Sequence, residues 1–292
     1  MAPTDRLQQV REHLVGGAPS NKDPTRVDGH VILITGGAQG IGKAAADLLA
    51  RQGAKIAIND VDAAKAKAAA DELQAAGCDA FFLAGDLLDE AFPERLVNAV
   101  VARFGRINCL INNAGFCVDS AVHKMTDAKF DIIMKIHNYT PFRMIRALSS
   151  HWMDPANLDM PKSIINISST SGLHGAMGQI NYSTAKAGII GMTKTIAAEW
   201  GRYNVRCNAV AYGWIDTRIT RPPDGSETVA LAGQEIVTGI PLSAKKWRDV
   251  SDIPLQRPGT TSDAAGVLLF LASPLASYVT GTCVECTGGR YL

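Results

Sequence analysis

From His30 onward, short apolar runs alternate with longer helical segments, and this alternation restricts the fold more than any other feature of the sequence. The runs have the length of strands, and many are apolar throughout, which is typical of parallel strands buried on both faces. The segments between them are long enough for the helices that connect parallel strands. The pattern predicts an α/β fold in which helices cover both faces of a doubly wound parallel sheet.

The pattern also places each element along the chain. Strands are predicted over 31–35, 54–60, 80–86, 107–115 with its turn, 163–169, 205–211 and 282–286. Helices are predicted over 41–52, 62–76, 92–104, 127–150, 180–201 and 262–272. Pro141 should kink the helix over 127–150, because proline cannot donate the helical hydrogen bond. No linker interrupts the series, so a single domain is expected.

Residues 1–29 precede this pattern and are interpreted as an N-terminal extension of a domain that spans 30–292. A short helix beginning near Thr4 is expected to pack on the domain or on a neighbouring subunit. The extension lacks the apolar core of a secretory signal, and no stretch reaches the about 18 apolar residues of a membrane helix. A formal net charge of +1 argues against nucleic-acid and membrane partners.

Six cysteines are distributed along the chain without the spacing of a metal site, although Cys283 and Cys286 form an isolated C-x-x-C pair. We interpret all six as reduced thiols of a cytoplasmic protein, because disulfides are rare in that compartment. No metal site is predicted.

A glycine-rich turn, TGGAQGIG over 35–42, follows the first predicted strand and opens the first helix. Glycine permits a tight turn and lets a pyrophosphate approach the N-terminus of a helix. The spacing G-x-x-x-G-x-G differs from the common dinucleotide fingerprint G-x-G-x-x-G. The position between strand and helix nevertheless predicts a nucleotide cofactor. The candidate residues in this turn are Gly36, Gln39, Gly40, Ile41 and Gly42.

Carboxylates end the next two predicted strands. Asp60 can accept both ribose hydroxyls of an adenosine, whereas a 2′-phosphate there would be repelled by about 4 kcal/mol before screening. Gln39 and Val61 occupy positions where a basic side chain could offset that repulsion. NAD(H) is therefore favoured over NADP(H). Asp86 could bond the adenine amine, and both carboxylates could instead simply cap the turns that follow them.

Tyr182 and Lys186 are four residues apart on one predicted helix, so their side chains share a face. A nearby ammonium should lower the pKa of a tyrosine and suit it to acid–base catalysis. Ser169 ends the fifth predicted strand, where its hydroxyl could stabilise a developing alkoxide or merely form a turn. Tyr182, Lys186 and Ser169 are the candidate catalytic residues.

With TGGAQGIG, Asp60, Asp86, NNAG over 112–115, ISS over 167–169, YSTAK over 182–186 and TGG over 287–289, the sequence resembles the short-chain dehydrogenase/reductase family. Within it, the 3-oxoacyl-[acyl-carrier-protein] reductases and the hydroxyacyl and hydroxysteroid dehydrogenases are the most similar groups. The resemblance implies a Rossmann fold with a seven-stranded parallel sheet, Ser-Tyr-Lys catalysis and a homo-oligomer, usually a tetramer. It also implies cofactor contacts from Leu87, Asn113, Ala114, Gly115, Tyr182, Lys186, Gly213, Ile215 and Thr217.

Several positions depart from the family pattern. His137 stands where the family has its fourth catalytic residue, an asparagine, and could relay protons or be a buried structural histidine. Tyr212 replaces the usual proline, and with Trp214 and His174 it is a candidate for the substrate pocket, although Tyr212 and Trp214 could instead be structural. Residues 218–256 exceed the usual lid length and are predicted to form an enlarged substrate lid with a helix over about 226–238, or an insertion that serves subunit contacts.

The sequence thus predicts an NAD(P)(H)-dependent oxidoreductase that transfers a hydride between nicotinamide and a ketone or secondary alcohol. A 3-oxoacyl-type compound and a secondary metabolite both remain open as the substrate. The alternative is a non-catalytic NAD(H)-binding sensor with the same fold.

Overall fold

A computed structural model describes residues 23–221, 228–231, 234–237 and 249–291. Seven parallel strands form one sheet in the order β3-β2-β1-β4-β5-β6-β9. The predicted doubly wound α/β fold is confirmed. The strands are β1 (Val31–Thr35), β2 (Lys55–Asp60), β3 (Ala80–Ala84), β4 (Cys109–Asn112), β5 (Lys162–Ser169), β6 (Val205–Tyr212) and β9 (Cys283–Cys286), and β7 (Thr228–Leu231) and β8 (Gln234–Val237) form a separate pair.

Helices cover both faces of the sheet. They are α1 (Gly40–Arg51), α2 (Ala63–Ala75), α3 (Phe92–Phe104), α4 (Asp127–Met134), α5 (Thr140–Trp152), α6 (Thr170–His174), α7 (Ile180–Trp200) and α8 (Thr261–Ala272). Short 3₁₀ turns span Val122–Lys124, Pro155–Asn157, Gly201–Tyr203, Arg218–Thr220, Val250–Asp252 and Pro274–Ala276.

The sheet separates two apolar cores. In β1, Ile32 and Ile34 enter one core, and Val31 and Leu33 enter the other. All four are at most 1% exposed, because successive side chains of a strand point to opposite faces and both faces are covered by helices. This burial explains why the strand is apolar at every position.

The strand order reverses at β1, which has β2 on one side and β4 on the other. The connections after these strands run to opposite faces and leave a crevice at their carboxyl ends. In open α/β sheets, ligands bind at such a switch point. The fold therefore brings the turn after β1 and the residues after β4 and β5 to one edge.

The long helix predicted over 127–150 is interrupted rather than kinked at proline. A π-helical segment, Lys135–Tyr139, separates α4 from α5. Pro141 lies in the first turn of α5, where its missing N–H costs little. The irregularity thus lies upstream of Pro141, and the expectation of a kink at the proline was wrong.

The helix predicted over about 226–238 is also wrong. β7 and β8 pair antiparallel there, with Thr228 opposite Val237 and Leu231 opposite Gln234. Only Ala232 and Gly233 separate the two strands in sequence, a spacing typical of a β-hairpin. The other residues of the predicted lid between 222 and 248, and the helix expected near Thr4, lie outside the described residues.

Candidate active site

Two adjoining cavities open at the carboxyl ends of the central strands. The first has a volume of about 390 Å³ and the second about 120 Å³. Their shared walls make them neighbouring compartments of one cleft. Both are lined by Ile41, Asn113, Gly115, Phe116 and Thr217.

The first cavity contains most of the predicted cofactor residues. Those that line it are Gly36, Gln39, Gly40, Ile41, Asp60, Asp86, Leu87, Asn113, Ala114, Gly115 and Thr217. These residues follow β1, β2, β3, β4 and β6, so five separate connections converge on one space.

The glycine turn depends on close backbone approach. Gly36 has φ +61°, and a Cβ there would lie 2.9 Å from Ala114 Cα. A Cβ on Gly42 would lie 2.3 Å from the Gly36 carbonyl oxygen. Gly42 is buried behind the turn and does not line either cavity, so its role is to let α1 pack on the turn rather than to face a cofactor.

Hydrogen bonds from the segment after β4 hold the glycine turn. Asn113 Nδ2 donates to the carbonyl oxygens of Thr35 (3.0 Å) and Gly36 (2.9 Å). Thr35 Oγ1 accepts from the backbone N–H groups of Asn113 (3.0 Å) and Ala114 (3.1 Å). The Asn113 side chain therefore positions the turn instead of reaching into the cavity.

The two predicted carboxylates occupy the same cavity wall, and each bonds nearby backbone. Asp60 is 6% exposed and accepts from the N–H groups of Ala38 and Asp62, both at 3.2 Å. Asp86 Oδ1 accepts from the Leu88 N–H at 2.8 Å. Each carboxylate therefore caps the turn beside it and also lines the cavity.

The second cavity brings together the four candidate catalytic residues. His137, Ser169, Tyr182 and Lys186 line it, and so do Tyr212, Gly213, Ile215 and Thr217. Sequence reasoning did not assign seven further lining residues to the site: Phe116, Cys117, Ile167, Ser168, Ser171, Gln179 and Thr220.

Lys186 is fixed beside the ring of Tyr182. Its Nζ donates to the Ile167 carbonyl oxygen at 2.6 Å and lies 5.5 Å from the centroid of the Tyr182 ring. Lys186 is 4% exposed, and this burial lowers its pKa to about 8. Near neutral pH the side chain is therefore mainly an ammonium, and it releases its proton more readily than an exposed lysine.

The pKa of Tyr182 differs in direction from the sequence-based expectation. Burial raises it well above the usual value, the neighbouring Cys117 adds to the rise, and a hydrogen bond with Ser169 opposes it. The desolvation of the phenolate outweighs the help expected from Lys186. In this site Tyr182 therefore holds its proton at neutral pH and is poised as an acid.

His137 packs edge-on against Tyr182, with ring centroids 5.1 Å apart. Its Nε2 lies 2.8 Å from the Phe116 carbonyl oxygen, which can only accept, so Nε2 carries the hydrogen. Burial lowers the pKa of His137 well below its usual value, and the positive charge of Lys186 lowers it further. The ring is thus neutral, and its buried Nδ1 is an acceptor without a protein partner among the described residues.

His137 also explains a glycine in the segment after β4. A Cβ on Gly115 would lie 2.2 Å from His137 Cε1. The neighbouring Asn138 points away from this space, because its Nδ2 donates to the Ala185 carbonyl oxygen at 3.0 Å. His137, rather than Asn138, occupies the site beside Tyr182.

A chain of polar side chains forms another wall of the second cavity. Gln179 Nε2 donates to both carboxylate oxygens of Asp119, at 3.2 and 3.1 Å. Gln179 Oε1 accepts from Ser171 Oγ at 2.9 Å, and the Ser171 N–H donates to Ser169 Oγ at 3.1 Å. The chain therefore ends at a candidate catalytic hydroxyl.

The three predicted pocket residues fare differently. Tyr212 reaches the cavity wall, but it is 5% exposed and its hydroxyl donates to the Ala264 carbonyl oxygen at 2.9 Å. His174 stacks on Tyr291 with ring centroids 4.3 Å apart. Neither His174 nor Trp214 lines either cavity. The structure thus places His174 and Trp214 outside the walls of the two cavities, and it commits the hydroxyl of Tyr212 to the core.

The first cavity fits a dinucleotide in shape and in chemistry. The cradle at Gly36 would be closed by a Cβ, and the N-terminus of α1 begins at Gly40 beside it. A helix N-terminus with a glycine turn favours phosphate, and a carboxylate at Asp60 favours ribose hydroxyls. The second cavity then adjoins this space with an acid, an ammonium and hydroxyl groups.

All six cysteines are free thiols. Within the described ranges, no cluster of three or more histidine, cysteine or acidic side chains could hold a metal ion, and no helix has the length and apolar character needed to cross a membrane.

Comparisons with known proteins agree with this geometry. A family model described as enoyl-(acyl carrier protein) reductase matches residues 36–290. A 3-oxoacyl-[acyl-carrier-protein] reductase FabG of Thermotoga maritima is 35% identical over 267 residues, which cover 90% of this chain and 98% of that protein. The (2S)-[(R)-hydroxy(phenyl)methyl]succinyl-CoA dehydrogenase subunit BbsD of Thauera aromatica is 34% identical, over 91% of this chain and 98% of that protein.

Solved structures show the same fold. A protein from Sinorhizobium meliloti described as a short-chain alcohol dehydrogenase superposes with a TM-score of 0.80 at 27% identity. The match covers 92% of this chain and 98% of that one.

Proposed function

The chain belongs to the short-chain dehydrogenase/reductase family and is a pyridine-nucleotide oxidoreductase of ketones and secondary alcohols; on that premise we propose that it reduces a ketone with NADH and that Tyr182 donates the proton. The observation that carries this proposal is the meeting of Tyr182, Ser169 and Lys186 in a cavity that adjoins the dinucleotide-shaped one.

The residues divide the work by their chemistry. When bound, the nicotinamide supplies or accepts the hydride at the substrate carbon. Ser169 donates a hydrogen bond to the carbonyl oxygen, and Tyr182 gives its proton to the same oxygen as negative charge develops there. Lys186 holds positive charge beside the phenolate that remains, which repays part of the cost of that buried charge.

The protonated state of Tyr182 suits it to assist the reductive reaction. Burial raises the pKa of Tyr182 well above its usual range, so the free site presents a protonated phenol. A protonated phenol can assist carbonyl reduction directly, whereas alcohol oxidation first requires its proton to leave.

Residues from several elements would hold the cofactor. The turn from Gly36 to Gly40 and the N-terminus of α1 would receive the pyrophosphate. Asp60 would accept the adenosine ribose hydroxyls. Gly213 and Ile215 line the second cavity and Thr217 lines both, and these three residues would hold the nicotinamide end. Tyr182 and Lys186 would complete that end from α7.

The preference for NAD(H) rests on charge in the first cavity. The Asp60 carboxylate would face a 2′-phosphate with like charge, which costs about 4 kcal/mol at 4 Å and an effective dielectric near 20. Lys65 also lines this cavity, but its Nζ lies 3.2 Å from an Asp62 carboxylate oxygen. That ion pair offsets the charge Lys65 could offer a phosphate.

The test follows absorbance at 340 nm with a panel of ketones and secondary alcohols, using NADH and NADPH in parallel. We expect turnover with a higher kcat/KM for NADH. Asp60→Asn should shift the ratio toward NADPH by about tenfold or more, and Asp131→Asn, on the exposed side of α4, should leave it unchanged. Absence of turnover with every compound, with cofactor still bound, would support the alternative of a non-catalytic NAD(H)-binding sensor. A wild-type preference for NADPH would overturn the cofactor assignment.

Assembly as a homo-oligomer and a cytoplasmic location belong to the same proposal. Both rest on the family resemblance and, for the location, on the free state of the six thiols. Light scattering of the purified protein would measure the mass, which should be a multiple of the 31.0 kDa chain.

A further inference from the structure

The polar wall of the catalytic cavity has a fixed direction of hydrogen bonding. A carboxylate can only accept, so the group that Gln179 turns toward Asp119 must be its amide nitrogen. This settles which end of Gln179 is the oxygen, since the other orientation would place two acceptors face to face. Gln179 Oε1 therefore faces Ser171.

That orientation determines what Ser171 can do. A serine hydroxyl has one hydrogen and two lone pairs. Because Gln179 Oε1 is an acceptor 2.9 Å away, the Ser171 hydroxyl must donate its only hydrogen to that oxygen. Ser171 lines the cavity and is 4% exposed, so it offers the cavity lone pairs alone. It is an acceptor held in place from Asp119.

Ser169 has the opposite polarity. Its Oγ already accepts the Ser171 N–H at 3.1 Å, and its hydrogen bond with Tyr182 lowers the pKa of that hydroxyl, as a donor to the phenolate would. Once a carbonyl oxygen lies at Tyr182, Ser169 can donate to that oxygen. The donor at Ser169 and the acceptor at Ser171 lie next to each other, because the backbone N–H of Ser171 donates to Ser169 Oγ.

We propose that Ser171 is a specificity-determining acceptor, and that the substrate is a hydroxy-ketone with a hydroxyl on one of the two carbons next to its carbonyl. The carbonyl oxygen takes the donors of Ser169 and Tyr182, and the hydroxyl donates to Ser171 Oγ. A plain ketone leaves the Ser171 acceptor buried against a carbon. This inference rests on the proposed function and names its substrate class.

The loop arrangement makes this wall rigid. Ser120 N–H donates to the Gly178 carbonyl oxygen at 2.8 Å and ties the loop of Asp119 to the loop of Gln179. Asn181 Nδ2 donates to the carbonyl oxygens of Val118 and Lys129, both at 3.0 Å. The acceptor at Ser171 is therefore held before a substrate arrives, which suits it to discriminate.

The experiment compares matched substrates in the full-length protein. The acyclic set is butan-2-one, 3-hydroxybutan-2-one and 3-methoxybutan-2-one, and the cyclic set is cyclohexanone, 2-hydroxycyclohexanone and 2-methoxycyclohexanone. Each methoxy compound keeps the electron withdrawal of a hydroxyl but has no hydrogen to donate. We expect at least one hydroxy-ketone to exceed its plain and methoxy partners in kcat/KM by about tenfold or more, the usual effect of leaving one buried polar group unpaired.

The variants separate this role from folding. Ser171→Ala should remove most of that preference, measured as the ratio of kcat/KM between a hydroxy-ketone and its plain partner, and Ser171→Thr, which keeps a hydroxyl, should restore it. Asp119→Asn should weaken the preference, because an amide no longer fixes the direction of Gln179. Ser149→Ala removes an exposed hydroxyl of α5 and should change nothing.

The outcomes distinguish the two proposals. Turnover of ketones with equal kcat/KM for hydroxy and methoxy partners, or a preference that survives in Ser171→Ala, would overturn the acceptor role and leave the oxidoreductase assignment intact. Absence of turnover with every compound and both cofactors would overturn both.

Discussion

The two cavities of the cleft differ in whether backbone or side chains form most of their walls. The first cavity is shaped largely by backbone: a glycine turn, a helix N-terminus and carboxylates that cap their own turns. The second is shaped by buried side chains, among them Lys186 with a lowered pKa and Tyr182 with a raised one. Backbone shape is encoded locally by glycine, whereas the chemistry of a buried side chain depends on partners far away in sequence. The comparison teaches that binding and catalysis can be disturbed separately.

The largest effect should come from closing the glycine cradle. Gly42→Ala places a Cβ 2.3 Å from the Gly36 carbonyl oxygen, which belongs to backbone and cannot turn aside. We expect a loss of about 3 kcal/mol in the free energy of unfolding, measured by urea denaturation, and weaker NADH binding.

Gly191→Ala is the matched control. A Cβ on Gly191, within α7, meets nothing within 4 Å. Alanine favours a helix by up to about 1 kcal/mol over glycine, so this variant should be as stable as the wild type or more stable. Equal stability losses in both variants would show that the cradle at Gly42 is not a special constraint.

A smaller loss of stability is expected from a buried hydrogen bond between side chains of β5 and α7. Asn166 is fully buried, and its Nδ2 donates to Thr193 Oγ1 at 2.9 Å. Thr193→Val keeps the shape but removes that acceptor, which should cost about 2 kcal/mol in the free energy of unfolding. Thr195→Val, on an exposed face of the same helix, should cost much less. Equal losses of stability in the two variants would show that the hydrogen bond between Asn166 and Thr193 contributes little to the stability of the fold.

The smallest effect is a change in pH dependence. Burial lowers the pKa of His137 well below 6.5, so the unfolded chain gains a proton at that site before the folded chain does. Its contribution to stability is fully present above pH 6.5 and is lost as pH falls toward the folded pKa. From pH 7.5 to 5.5 the wild type should lose about 1 kcal/mol more than His137→Asn.

Urea unfolding at the two pH values measures that difference. His30 and His151 also have lowered pKa values, but they are present in both proteins and cancel in the comparison. Parallel pH dependences would mean that His137 titrates normally, contrary to the buried, neutral ring described above.

The same contrast explains what the sequence could predict. The turn at Gly36, the carboxylate at Asp60 and the pairing of Tyr182 with Lys186 are local patterns, and the structure brings each to the cleft. The hydrogen bond between Asp119 and Gln179 joins residues 60 positions apart, so no local pattern indicates it. Its effect on Ser171 was accordingly missed.

Other misses have their own physical causes. The interruption at Lys135–Tyr139 keeps helical backbone throughout, so composition alone does not separate it from an ordinary helix. β7 and β8 pair over residues that would also suit a helix, so propensity alone does not predict this pairing. The pKa of Tyr182 could not be predicted because the charge of Lys186 is visible in sequence whereas the extent of burial is not.

The most direct test of the account is Tyr182→Phe, measured for both binding and turnover. The variant removes one hydroxyl and keeps the ring that packs against His137. The account predicts that kcat falls by about 1,000-fold or more, while NADH affinity, measured by fluorescence titration, stays within a few-fold of the wild type. A near-normal kcat would contradict the assignment of Tyr182 as the proton donor.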